Sequence, residues 1–127
     1  MIPIVPVNDR TSSDSIYRCK IVTYKLQMVE IRQTSDFADW LRKLKDEAAR
    51  ARINVRLRRL SLGNAGDAKP VGAGVSELRI DYGPGYRVYF VKRGDILVIL
   101  LCGGDKRTQD GDIAKAKAMA EGLKNAP

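Results

Sequence analysis

The sequence contains no histidine. This absence excludes catalytic triads with a histidine base, metal sites built on imidazole ligands and acid–base catalysis by an imidazole group. If the chain is an enzyme, lysine, tyrosine, arginine and carboxylate side chains must carry its chemistry. We expect no metal and no cofactor.

Cysteine and long apolar runs are also scarce. The two cysteines, Cys19 and Cys102, have no ligand spacing around them and are typical of a reduced chain rather than a disulfide framework. No apolar run reaches the roughly 18 residues that a membrane-spanning helix needs. The N-terminus lacks a basic segment followed by an apolar core, so no secretory signal is predicted. These features predict a cytoplasmic protein with no membrane partner.

Acidic residues are outnumbered by basic ones. Asp and Glu total 15 while Lys and Arg total 23, which gives a formal net charge of +8. A basic excess of this size favours polyanionic partners such as nucleic acid, the ribosome or an acidic protein. The length of 127 residues fits one domain with a core of its own.

Residues 76–107 form the stretch around which the chain is organised. Apolar and charged residues alternate through residues 76–82, which is the period-two pattern of a half-buried strand. Gly-Pro-Gly at residues 83–85 is a turn signal, and a second strand follows it. A three-residue loop predicts these cross-strand pairs: Tyr82 with Tyr86, Ile80 with Val88, Leu78 with Phe90, Asp81 with Arg87, and Arg79 with Tyr89.

The second turn of this predicted meander lies at Arg93 and Gly94, which would place Arg87 opposite Leu100. Residues 96–102 are apolar on both faces, as expected for a central strand that is covered on both sides. The exit of that strand would then emerge near Arg87. We therefore predict that four basic side chains converge at one edge of one sheet face: Arg79, Arg87, Lys106 and Arg107.

The first 27 residues differ from the rest. Residues 1–7 are an apolar run with two prolines, and residues 8–15 are polar and serine-rich. We interpret residues 1–27 as an N-terminal extension and residues 28–127 as the domain. The alternative is that residues 19–33 form one long edge strand, and the sequence leaves both open.

Two helices are predicted between a short strand at residues 29–32 and the meander. Residues 34–36 (Thr-Ser-Asp) are helix N-cap residues, and apolar residues then recur from Phe37 to Leu44 at helical spacing. A bend near Asp46 leads to a second helix over residues 47–60, and a loop then runs to Gly74. A third helix begins near Asp110. The predicted fold class is α+β, in the order β-α-α-β-β-β-α. The helical hairpin is expected on one face of the antiparallel sheet, leaving the Arg79 and Arg87 face open.

Several motifs occur in an order and spacing that are specific together, although each is modest alone. They are EIRQT (30–34), Phe37 with Trp40 and Leu41, GNAGD (63–67), GVSELR (74–79), YGPGYRVY (82–89), and LCGGDK (101–106) with Gln109 and Asp110. Over residues 28–123 this pattern resembles the RelE/ParE toxin superfamily of type II toxin–antitoxin modules, and within it the HigB-like "addiction module killer" branch.

The resemblance implies a toxin that cleaves messenger RNA in the ribosomal A site and inhibits translation. It also implies a cognate helix-turn-helix antitoxin that covers the toxin, with the complex binding operator DNA. By match to the family's motifs, its functional basic positions fall on Arg79, Arg87, Lys106 and Arg107.

The chemistry expected of such a site can be argued from the residues themselves. Metal-independent cleavage of RNA by its own 2′-hydroxyl requires removal of a proton and stabilisation of the extra charge on the phosphorane. Arginine forks bind two phosphate oxygens at once, so Arg79 and Arg87 are predicted to stabilise that charge. Lys106 and Arg107 are predicted to orient the phosphate or transfer a proton, and Tyr89 to stack on a base.

Plainer interpretations of the same residues stay open. Arg87 opposite Asp81 forms an ordinary cross-strand ion pair in the predicted register. The arginines of the second helix, including Arg56 and Arg59, either form its solvated side or contact ribosomal RNA. Two other function classes also remain: a ParE-like inhibitor that binds DNA gyrase, and a non-catalytic nucleic-acid-binding module.

Overall fold

The computed structural model describes residues 29–124 and shows an α+β fold, as predicted. Cys19 and the predicted extension over residues 1–27, including the alternative long edge strand, lie outside these residues. Within residues 29–124 the strands and helices, in chain order, are β1 (Glu30–Gln33), α1 (Ser35–Lys43), α2 (Glu47–Ser61), β2 (Ala68–Gly72), β3 (Val75–Ile80), β4 (Tyr86–Arg93), β5 (Leu97–Asp105), a 3-10 helix (Lys106–Thr108) and α3 (Gln109–Lys124).

Capping side chains start the first two helices where the sequence predicts. Thr34 Oγ1 accepts a hydrogen bond from the backbone N–H of Phe37 (3.1 Å), and the Asp46 carboxylate accepts from those of Ala48 and Ala49. These bonds satisfy N–H groups that have no partner inside the helix. The predicted helical hairpin with a bend near Asp46 is therefore confirmed.

The sheet is mixed and five-stranded, with the order β1-β5-β4-β3-β2. β3, β4 and β5 form the predicted antiparallel meander, and β1 pairs with β5 in parallel. The strand β2 was not predicted, because Pro70 and Gly72 make its sequence look like a loop. It forms at the sheet edge, where proline is tolerated, and its register shifts between these two residues. The observed order is therefore β-α-α-β-β-β-β-α.

The predicted register between β3 and β4 is wrong by two residues. Ile80 lies opposite Tyr86, and Arg79 lies opposite Arg87 rather than Tyr89. The loop is longer than Gly-Pro-Gly because the Tyr82 N–H turns back to the Ile80 carbonyl, and Gly83 adopts a positive φ of 59°. Since the shift is an even number of residues, each side chain keeps its predicted sheet face.

The register between β4 and β5 also differs from the prediction. Arg87 lies opposite Gly104, not Leu100, and the ladder shifts between Tyr89 and Phe90. An irregularity of this kind inserts an extra residue into one strand and is not visible in the alternation of side chains. The shift brings the exit of β5 directly beside Arg87.

Helices cover both faces of the sheet. On one face, α1 and α2 pack Phe37, Ile53 and Leu60 against the sheet, and this confirms the predicted position of the hairpin. On the other face, α3 packs Ala116 and Ala120 over one end of the sheet. The prediction that this face is open is therefore wrong in part. The remainder of that face, around Arg79 and Arg87, is not covered by α3.

Two adjacent glycines near the end of β5 allow other elements to approach closely. A Cβ atom on Gly103 would lie 2.5 Å from Cδ2 and Cζ3 of the Trp40 indole ring, which comes from α1. A Cβ atom on Gly104 would collide with the Asp112 carboxylate of α3 and lie 3.0 Å from Thr108 Oγ1. The glycine pair is therefore a packing requirement on both sheet faces.

Within the described part of the chain, none of the helices combines the length and apolarity needed to cross a bilayer.

Candidate functional site

An open pocket of about 450 Å³ lies at the end of the sheet next to the β3–β4 turn. The residues that line it, here called the basic pocket, are Asp67, Arg79, Ile80, Asp81, Gly83, Pro84, Gly85, Arg87 and Lys106. Three of the four basic residues that sequence reasoning placed together are among them. They come from β3, from β4 and from the first turn after β5, so the sheet register is what unites them.

Arg79 and Arg87 lie directly opposite each other on neighbouring strands. Like charges in this position repel each other, so the arrangement is unfavourable unless carboxylates compensate it. Arg79 has such a partner in Asp67, whose Oδ1 is 3.6 Å from Arg79 Nε. The predicted ion pair between Arg87 and Asp81 does not form as a cross-strand pair, because Asp81 belongs to the turn.

The carboxylate that compensates Arg87 is Glu77, a residue of β3 on the sheet face that the sequence predicts to be open. Glu77 is fully buried, and its Oε2 lies 3.8 Å from Nε of Arg87. The Arg87 side chain is only 12% exposed, and its Nη1 donates a hydrogen bond to the Gly85 carbonyl (3.4 Å). The sequence contains one signal for this contact. Glu77 precedes Arg79 by two residues, so both side chains lie on the sheet face that also carries Arg87.

Two further side chains hold Glu77. The Tyr89 hydroxyl donates to Glu77 Oε2 over 3.1 Å, and Gln109 Nε2 donates to the same oxygen over 2.7 Å. Burial, and then the adjacent Glu77 carboxylate, raise the pKa of the Tyr89 phenol well above its usual value. Because the Tyr89 ring is fully buried, the prediction that it stacks on a base is wrong.

Lys106 and Arg107 take different positions although they are adjacent in sequence. Lys106 is exposed and lines the basic pocket. Arg107 is 79% exposed, is not among the lining residues, and pairs with Asp105 through Nη2 and Oδ2 at 3.0 Å. Its hydrogen bond lowers the pKa of the Asp105 carboxyl. The predicted convergence therefore holds for Arg79, Arg87 and Lys106 but not for Arg107.

Arg56 has a structural position. Its guanidinium donates hydrogen bonds to the backbone carbonyls of Arg79 (2.5 Å), Ala65 (3.0 Å) and Asp67 (3.3 Å). These contacts fasten the loop after α2 to the end of β3. Since Asp67 is part of that loop, Arg56 also supports one wall of the basic pocket.

Arg59 is exposed in a second groove that follows α2. This groove, of about 530 Å³, is lined by Ala48, Ala51, Arg52, Val55, Arg56, Arg59, Ile80 and Asp81. It shares Ile80 and Asp81 with the basic pocket, so the two openings are neighbours on the surface. The expected contact of Arg59 with RNA stays a prediction.

Tyr82 is a half-buried aromatic residue near these openings that sequence reasoning had placed only in the sheet. Its hydroxyl lies 3.1 Å from Oδ2 of Asp46, and the guanidinium of Arg52 lies 4.5 Å from the ring centroid. The hydrogen bond with Asp46 is the main cause of a raised Tyr82 pKa.

The basic pocket is suited to bind a phosphate group. Two guanidinium groups and an ammonium group present several donors within one opening, and guanidinium binds phosphate in a two-pronged geometry. Residues 29–124 contain no group of three or more histidine, cysteine, aspartate or glutamate side chains that could hold a metal ion.

Comparison with known proteins identifies one family and one similar sequence. A family model described as "Phage derived protein Gp49-like (DUF891)" matches residues 39–123. A Haemophilus influenzae protein described as "Uncharacterized protein" is 55% identical over 95 residues, which cover 75% of this chain and 96% of that relative. The matched region includes every residue of the basic pocket.

Proposed function

Because the chain belongs to the Gp49-like family, a type II toxin–antitoxin family, we propose that it is a toxin that cleaves messenger RNA on the ribosome. The observation that carries this proposal is the joint presence of Arg79, Arg87 and Lys106 in one open pocket. The fold would then be that of the RelE/ParE superfamily, in its HigB-like branch. Residues 28–127 would form the toxin domain, and the protein would act in the cytoplasm.

The proposed reaction is attack of a ribose 2′-hydroxyl on the adjacent phosphorus, with departure of the 5′-oxygen of the next nucleotide. Arg79 and Arg87 stabilise the additional negative charge on the phosphorane. Preorganised cations near a developing charge are often the largest single contribution to catalysis. Lys106, the exposed cation of the pocket, orients the phosphate or transfers a proton.

The carboxylates beside the two arginines do not occupy the guanidinium donors with close hydrogen bonds. Asp67 lies 3.6 Å from Arg79 and Glu77 lies 3.8 Å from Arg87, and both distances exceed a normal hydrogen bond. The cations are thus kept in place without their donors being fully used.

An antitoxin partner follows from the family. We propose a helix-turn-helix antitoxin that covers the basic pocket or the exposed surface of α2, and a toxin–antitoxin complex that binds its operator DNA. The remaining proposed partners are the ribosome and its messenger RNA. Arg59, at the groove beside α2, is proposed to contact RNA that extends from the basic pocket.

The test compares full-length wild-type protein with Lys106→Met and Lys92→Met in a translation extract, with mapping of the 5′ ends of the message. Lys106 is exposed, so its replacement should leave the fold intact, and Lys92 is an exposed lysine on β4 that does not line the pocket. We expect cleavage that requires translation, reduced by about 10²–10³-fold in Lys106→Met and unchanged in Lys92→Met.

Brief induction of the same variants in bacteria distinguishes the nuclease from the two alternative functions. Growth arrest with intact transcripts and a DNA damage response would refute the nuclease and favour a gyrase inhibitor. An absence of both growth arrest and cleavage would refute it in favour of a non-catalytic binding module.

A further inference from the structure

Glu77 is a buried ionisable residue that the proposed cleavage reaction does not use. Its side chain has no exposed surface, so it cannot touch a substrate in the basic pocket. Placing a carboxylate inside a protein is unfavourable unless donors and cations compensate it. A chain that retains such a group is expected to gain something from it.

The groups that surround Glu77, a residue of β3, come from one neighbouring strand and one helix. Tyr89 and Arg87 belong to β4, and Gln109 is the first residue of α3. Glu77 Oε2 accepts both hydrogen bonds described above, while Glu77 Oε1 and Arg87 Nε have no hydrogen-bond partner in the described part of the chain. The contact between Glu77 and Arg87 is therefore an attraction between charges across 3.8 Å, in a place that solvent screens little.

The geometry gives the Arg87 guanidinium a direction. Its Nε edge faces Glu77, its Nη1 donates to the Gly85 carbonyl, and the residue lines the basic pocket. Without Glu77, Arg87 would keep its bond to the Gly85 carbonyl but would have no carboxylate to offset its like-charged neighbour Arg79 on the adjacent strand. We propose that Glu77 is a positioning residue that orients Arg87 toward the phosphate of bound RNA, and that Tyr89 and Gln109 hold Glu77 in place. This inference rests on the proposed function.

Electrostatics and positioning predict opposite effects of removing the Glu77 charge. If the charge only weakened the local positive potential, Glu77→Gln would tighten phosphate binding and leave cleavage unchanged or faster. If Glu77 positions Arg87, the same variant would cleave more slowly without binding more weakly. A displacement of about 1 Å in a catalytic group can cost about 10²-fold in rate. We expect a 10- to 100-fold fall in the rate at saturating message, by the same reasoning.

The decisive measurement follows the Nε–H group of Arg87 by NMR in the full-length protein. In the wild type we expect slow exchange of this hydrogen with water and a clear shift of its signal on titration with inorganic phosphate. In Glu77→Gln we expect exchange to become about tenfold faster, because a guanidinium without its buried partner charge leaves its position more often. The matched control is Glu30→Gln, which removes an exposed carboxylate that pairs with Arg32.

A second variant covers the case in which Glu77→Gln does not fold. Gln109→Ala keeps the Glu77 carboxylate but removes one of its two hydrogen bonds, and Gln109 is only partly buried. Gln109→Ala should also make exchange at Arg87 faster, by a smaller factor than Glu77→Gln does. Unchanged exchange at Arg87 in whichever of the two variants folds would overturn the proposal.

The cleavage assay separates this inference from the proposed function. Faster exchange at Arg87 together with slower cleavage supports both. Faster exchange with cleavage at the wild-type rate overturns the role of Glu77 in the reaction. A wild-type protein that cleaves nothing refutes the nuclease alone, and the positioning of Arg87 is then decided by exchange and phosphate titration.

Discussion

Replacing Gly103 by alanine should destabilise the protein through one collision. The added Cβ would lie 2.5 Å from two carbon atoms of the Trp40 ring. Carbon atoms normally approach to about 3.5–4.0 Å, so the indole must retreat by about 1 Å or β5 must shift. Such overpacking typically costs about 1–3 kcal/mol. For a domain of this size, each kcal/mol lowers the melting temperature by about 4–8 °C.

Trp40 makes the change directly visible, because it is the single tryptophan of the chain. It also lies near the rings of Phe37 (5.7 Å between centroids) and Tyr86 (6.2 Å), so a displaced indole changes its surroundings. Urea denaturation followed by tryptophan fluorescence and by circular dichroism should show the same loss of stability. The native emission spectrum of Gly103→Ala should differ from that of the wild type.

The control is Gly122→Ala, which makes the same chemical change in α3. A Cβ on Gly122 meets nothing within 4 Å. Alanine favours a helix over glycine by up to about 1 kcal/mol, so this variant should be as stable as the wild type or slightly more stable. If Gly103→Ala matched Gly122→Ala in stability and kept the wild-type emission, the close approach of Trp40 to β5 would be refuted.

Two further predictions concern Arg56 and Cys102. Arg56→Lys should lower the free energy of unfolding by about 1–3 kcal/mol, because one ammonium cannot reach all three carbonyls that the guanidinium serves. The control, Arg59→Lys, changes an exposed position and should stay within about 0.5 kcal/mol of the wild type in urea denaturation. An equal loss of stability in both variants would contradict the role of the three Arg56 hydrogen bonds. Burial raises the pKa of the Cys102 thiol from 9.0 to about 11, so only the unfolded thiol ionises between these values and stability should fall as the pH rises through them. Cys102→Ala should reduce that fall in thermal unfolding, and an identical slope in both proteins would refute the assignment.

The helices and the meander could be predicted because local signals agree with the final packing. Thr34 and Asp46 mark helix starts through their own side chains, and the spacing of Phe37 and Trp40 states which face is buried. The strand β2 could not be predicted in this way. Its residues carry no alternation, and it exists because β3 offers an edge to pair with.

The site was predictable in composition but not in detail. The face of the sheet that carries Arg79 and Arg87 follows from period two alone, and an even register error does not change it. The exposure of a side chain on that face depends on which part of the face α3 covers, and no local sequence pattern predicts this. Tyr89 and Glu77 lie on the sheet face that the sequence predicts to be open, although both are buried. Arg107 was misplaced because the cap at Asp105 turns the chain and captures its guanidinium.

The close approach of Asp112 to Gly104 has a genetic consequence. A gene for a toxin is under selection for inactivation whenever its antidote is missing. Any change in the first two bases of a glycine codon introduces a side chain or a stop, and every side chain at Gly104 would push against Asp112. Under the proposed function, a mutation there would inactivate the toxin by disturbing the packing of α3 on β5 and not by changing a group of the basic pocket. Under the same proposal, a mutation at Lys106, which is exposed, would remove activity while the packing at the end of β5 stays as it is.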